Sequence, residues 1–97
     1  MGKSILQEER VCYLCGSINH LEKHHIFAGV ANRKISEREG LWCWLCGHGS
    51  VNNCHTGTEG AQYDKEKNRM LKADAQWAYE QTHSRSEWMK LIGKNYL

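Results

Sequence analysis

"CWLCGHGSVNNCH", residues 43–55, decides how this chain folds, because it gathers three of the five cysteines and two of the six histidines. Its first half continues "GLW" and is aromatic, apolar and bounded by Gly40 and Gly47, which is the composition of a strand. Its second half, rich in Gly and Asn, reads as a loop. Neighbours on a strand alternate between faces, so Cys43 and Cys46 point to opposite sides. The loop 47–53 can return the chain so that Cys54 meets Cys46. Cys43 then becomes a buried thiol on the face of Leu41 and Leu45.

Working outward, "CYLCG" at 12–16 supplies a C-x2-C pair, a spacing at which a tight turn aims two thiolates at one tetrahedral zinc ion. Two more ligands are needed. Cys43 and Cys46 would complete a C-x2-C…C-x2-C site, a strong pattern match that the strand pleat opposes. Cys46 with Cys54 is the completion that the pleat favours, and His48 is a further candidate for the fourth position. A thioredoxin-like redox reading needs a CxxC opening a helix after a strand, and "CYLCGS" leads toward a strand instead.

Ninety-seven residues with 40% hydrophobic content fit one small domain whose own core gives a thin stability margin. A metal clip therefore matters to it. Thirteen Lys and Arg against eleven Asp and Glu leave a formal charge of +2, too little to argue for nucleic-acid binding alone. Five cysteines cannot pair completely. The opening "MGKSILQEER" has no apolar segment of a signal peptide, and Leu6 breaks the myristoylation pattern. No apolar run spans a bilayer. A cytoplasmic location, with reduced thiols and no membrane contact, is the expectation.

The chain divides into a polar lead-in at 1–10, a metal-type core at 11–63 and a helical part at 64–97. Within the core, "VCYLCG" reads as a strand running into a turn at Gly16, "LEKHHIFA" at 21–28 as a strand, and 29–40 as a loop with a short helix. From 64 to 82 the apolar residues Met70, Leu71, Ala75, Trp77 and Ala78 gather on one helix side. "SRSE" then offers a capping box, Ser84 with Glu87, and Gly93 ends the helix that follows. Trp77 and Trp88 read as core residues. The lysines between Lys65 and Lys72 read as a solvated helix face, with Arg33 and Lys34 about as suited to phosphate contact. His20 and His83 carry no assigned role. The fold class expected is α+β: a small zinc-stabilised core with C-terminal helices.

His24 and His25 are adjacent on the first strand, and His55 directly follows a zinc-type cysteine. Such a set supplies what phosphodiester hydrolysis needs: an imidazole to activate water near pH 7, and ligands for a divalent cation that neutralises phosphoryl charge.

These residues, "CYLC", "HHI" and "LC…CH" in that order, resemble the HNH nuclease superfamily, built on the ββα-metal, treble-clef zinc fold. With "HHIF", the polar stretch "ANRKISEREGL" and the ending "WMKLIGKNYL", the chain is similar to small phage-encoded HNH-like proteins over most of residues 12–97. The resemblance implies a single HNH-like domain with structural Zn²⁺ on Cys12, Cys15, Cys46 and Cys54. It implies His25 as general base, and His24 and His55 as ligands of a catalytic Mg²⁺ or Mn²⁺. The substrate implied is DNA, cut to 5′-phosphate and 3′-hydroxyl ends in the host cytoplasm. Three features depart from the pattern. Seven residues separate Cys46 from Cys54. The middle Asn of the motif is absent before the Leu-Cys strand, with Asn32 the nearest replacement. Gln62 stands where relatives of the phage type often carry a further metal-binding histidine, and an amide oxygen is a poorer transition-metal ligand. The alternative is therefore a non-catalytic zinc module that binds DNA or a protein.

Overall fold

The computed structural model describes residues 3–27, 29–47, 49, 53–55 and 64–97, with the side chain of Val30 excepted. Strand β1 (Leu21–His25) and strand β2 (Trp42–Cys46) pair antiparallel, with Leu21 opposite Cys46 and His25 opposite Trp42. "WCWLC" suits a strand because its aromatic and apolar side chains pack on both sides of a pleated ribbon. One face of the hairpin carries Glu22, His24, Cys43 and Leu45, and the other carries Leu21, Lys23, His25, Trp42, Trp44 and Cys46. β1 stops at His25, three residues short of the expected strand.

Helix α1 (Val30–Glu39) connects the strands and ends at Gly40, whose φ of 74° is the left-handed conformation of a helix terminus. Any side chain there would also collide with the Lys3 carbonyl, so both backbone and space require glycine. The fully buried Ser36 hydroxyl accepts from Phe27 N and donates to Phe27 O, fastening α1 to the exit of β1. The lead-in at 3–10 forms no helix. It runs along β2: Gln7 Oε1 accepts from Trp44 N at 2.7 Å, and Ile5 N donates to Gly40 O at 3.0 Å. This covers backbone groups that an edge strand would otherwise expose.

Helix α2 (Lys65–Tyr79) starts at Asp64, whose carboxylate caps the backbone N–H groups of Glu66 and Lys67. It buries Leu71, Ala75, Gln76 and Tyr79, residues spaced so that they share one side. The sequence expectation for this face is corrected at two positions: Met70 is 42% and Trp77 61% exposed. Helix α3 (Arg85–Leu91) carries the full Ser84–Glu87 capping box, and Gly93 follows its end at φ 88°. Trp88 is completely buried, with Phe27 and Tyr79 rings each 5.5 Å away. The core thus joins α2 and α3 to the inner face of the hairpin through Leu41, Cys43 and Leu45. The described residues form a small α+β fold of one hairpin and three helices beside a cluster of four cysteines. None of its described helices is long and apolar enough to cross a membrane.

Candidate metal centre

Of the strand running into a turn expected at 11–16, the turn forms and the strand does not. Gly16 N donates to Cys12 O and Cys12 N to Ser17 O, both at 2.8 Å, and Gly16 takes φ 79°. A turn here follows from the site: on a strand Cys12 and Cys15 would diverge, whereas a tight turn aims both sulfurs one way. Tyr13 secures the turn to the rest of the fold, donating from N to Trp44 O and from its hydroxyl to Asp74 Oδ2 on α2.

Cys46 enters from the end of β2. Cys54 returns with its backbone N–H directed at the Cys46 sulfur, 3.5 Å away, while His55 N donates to Cys46 O. The Sγ atoms of Cys12, Cys15, Cys46 and Cys54 all lie within 4.8 Å of one another, and those of Cys15 and Cys46 are 3.5 Å apart. Tetrahedral zinc with Zn–S bonds of ~2.3 Å holds its sulfurs about 3.8 Å apart, so this donor set fits that ion. Burial pushes the Cys54 thiol up, and hydrogen bonding with Cys46, Cys15 and Cys12 adds to the effect. A divalent cation favours the thiolate forms that would bind it.

Cys43 stands apart from this cluster. It is fully buried opposite His24, and burial first, then Cys12 and Asp74, pushes its thiol up to about 12. It is a protonated core residue, as the pleat requires.

A second group of polar side chains lies on the inner hairpin face. The His24 and His55 rings approach edge to face with centroids 5.1 Å apart. His24 is 8% exposed, and its Nε2 has no hydrogen-bond partner among the described residues. Burial, then the charges of His55, His25 and Lys72, pushes its imidazole down to about 4, so the ring is neutral at pH 7 and keeps a lone pair for a ligand. His55 Nδ1 lies 2.8 Å from Glu22 Oε1. A carboxylate in that position fixes a histidine tautomer with Nε2 available to a metal. Gly47 makes the bond possible, because a side chain there would overlap the Glu22 carboxylate.

His25 faces the other way. β1 stays regular through His25, so its imidazole lies with Trp42 on the outer face, where Nε2 meets Glu37 Oε2 at 2.8 Å. Hydrogen bonds from Lys23 and then His25 hold the Glu37 carboxyl below the usual carboxylate range. The structure therefore brings His24 to His55 and sets His25 on the opposite side of the strand. Asn32 is exposed in the first turn of α1. Gln62 and His48 lie outside the described residues. Sequence reasoning missed Glu22 and Glu37. Period-two alternation places Glu22 on the face of His24, and that signal was there to be read. Nothing local links Glu37 to His25.

No protein-family model, curated protein or solved structure matches this chain.

Proposed function

We propose that this protein is a small zinc-clasped binding module, with zinc held by Cys12, Cys15, Cys46 and Cys54 and with DNA as the partner that its resemblance to HNH proteins implies. The observation that carries the reading is the approach of four sulfurs to within 4.8 Å of one another. They come from a turn at Cys12–Cys15, the end of β2 and a second turn at Cys54, so the ion joins three segments of a chain with a small core. Zinc content of about one per chain, lost together with the folded circular dichroism spectrum on chelation, is the expected result. A metal-free preparation that is fully folded contradicts it.

A second reading, metal-dependent hydrolysis of DNA, is favoured by the His24–His55 pair. In it the two imidazoles hold Mg²⁺ or Mn²⁺, which would neutralise charge on a scissile phosphate, and His25 activates water. The engagement of His25 by Glu37 on the opposite strand face weighs against this reading and for the binding module. Nicking of supercoiled plasmid decides between them. The module predicts no divalent-ion-stimulated cleavage. The nuclease predicts Mn²⁺-stimulated nicking that falls roughly a hundredfold to ten-thousandfold in His25→Ala with zinc content unchanged.

A further inference from the structure

The ending "GKNYL" is folded against α2 by buried polar groups. Gln76, fully buried, donates from Nε2 to Asn95 Oδ1 at 2.9 Å and accepts from Tyr96 N at 2.6 Å. The indole of buried Trp88 donates to Lys94 O at 2.8 Å. These bonds fix the backbone of residues 94–96, and with it the positions from which their side chains extend.

Between this tail and α2 lies a pocket of about 220 Å³, lined by Asn68, Arg69, Lys72, Lys94, Asn95 and Tyr96. Its described lining has three cations and no carboxylate. Arg69, Lys72 and Lys94 form no ion pair among the described residues, although the chain as a whole is nearly balanced in charge. The ammonium groups of Lys72 and Lys94 both approach the Tyr96 ring, at 5.6 and 5.3 Å from its centroid. Cation–π attraction offsets only part of the repulsion between like charges gathered this way. The Asn95 side-chain oxygen already accepts from Gln76 and from Leu97 N, which leaves its amide hydrogens as donors. A pocket of fixed cations and donors is complementary to an anion.

The cations come from two segments of the chain. Arg69 and Lys72 are neighbours on α2, with Cβ atoms about 5–6 Å apart, and Lys94 brings a third cation from the tail to the Tyr96 ring that Lys72 also approaches. Three cations drawn from two segments of the chain can each meet a separate phosphate of a polyanion, which a single small anion cannot supply. We propose that this pocket between α2 and the C-terminal tail binds the phosphodiester backbone of a nucleic acid through Arg69, Lys72 and Lys94. The proposal rests on the reading above only for the class of partner, and it holds whether or not the chain hydrolyses the strand.

The test is fluorescence anisotropy of a labelled DNA duplex with the zinc-loaded protein, from 50 to 200 mM NaCl and with no Mg²⁺ or Mn²⁺. Each phosphate contact makes affinity fall about 3.5-fold across that range. Arg69→Ala and Lys94→Ala, each checked for zinc content and circular dichroism, should bind more weakly at 50 mM. Each should also lose about 3.5-fold less affinity over the titration than wild type does. If both variants match wild type while Arg33→Ala is weakened, the strand lies on α1; the pocket is then wrong and the nucleic-acid reading stands. No binding by wild type overturns the proposal and that reading together. Equal binding of a labelled oligoglutamate, weakened by the same two variants, replaces the nucleic acid with an acidic protein and also overturns it.

Discussion

Replacing Cys54 by alanine separates the two ways of completing the zinc site, with Cys43→Ala as its counterpart. Structural zinc contributes about 10–16 kcal/mol of apparent binding free energy in small domains, comparable to the whole stability of a typical fold. Cys54 supplies one of four sulfurs in the cluster. An even share makes its loss cost about 2.5–4 kcal/mol, or roughly a hundredfold to a thousandfold in zinc affinity. Cys43 precedes Cys46 by three residues but packs in the core opposite His24. Its replacement removes one fully buried sulfur atom, at a cost of about 1–1.5 kcal/mol with zinc retained. The assay is competition against a chelator of known zinc affinity, followed by a thermal melt of each variant. Cys43→Ala should hold zinc like wild type and melt about 4–12 °C lower. Zinc loss in Cys43→Ala with normal affinity in Cys54→Ala would refute the strand-and-loop geometry.

Other expectations follow from the packing of the helices. Gln76→Ala removes the bonds to Glu80, Asn95 and the Tyr96 backbone, and should cost about 2–4 kcal/mol in urea unfolding while the Tyr96 amide exchanges faster with solvent. Trp88→Ala empties a fully buried site and should cost about 3–5 kcal/mol, whereas Trp77→Ala, at a 61% exposed position, should stay within about 0.5 kcal/mol of wild type. Ser84→Ala breaks the capping box of α3 and should cost about 1 kcal/mol, seen as a lower urea midpoint at an unchanged slope.

Alternation and capping are local, and where they governed the outcome the sequence was readable. The pleat of "LWCWLC" separates Cys43 from Cys46, and "SRSE" marks the start of α3. The turn at Cys12–Cys15 is legible in the C-x2-C spacing, whereas the strand expected to lead into it does not form, because Val11 and Cys12 have strand composition but no described strand pairs with them. On α2 the apolar count placed Trp77 inside. The structure buries Gln76 instead, because the backbone of the C-terminal tail needs a polar partner there, and a periodicity argument cannot see that partner. The pairing of His24 with His55 joins β1 to the returning loop, and the pairing of His25 with Glu37 joins β1 to α1. Both depend on tertiary placement. The opposed faces of the two adjacent histidines, by contrast, follow from the strand alone.

The central claim is that four sulfurs, and no nitrogen or oxygen, surround one zinc ion. X-ray absorption at the zinc edge of the purified protein tests it directly. A single shell of four sulfurs at ~2.3 Å is expected. A shell that includes nitrogen or oxygen at ~2.0–2.1 Å would bring His48, His55 or water into the site and contradict the assignment of Cys12, Cys15, Cys46 and Cys54 as the complete ligand set.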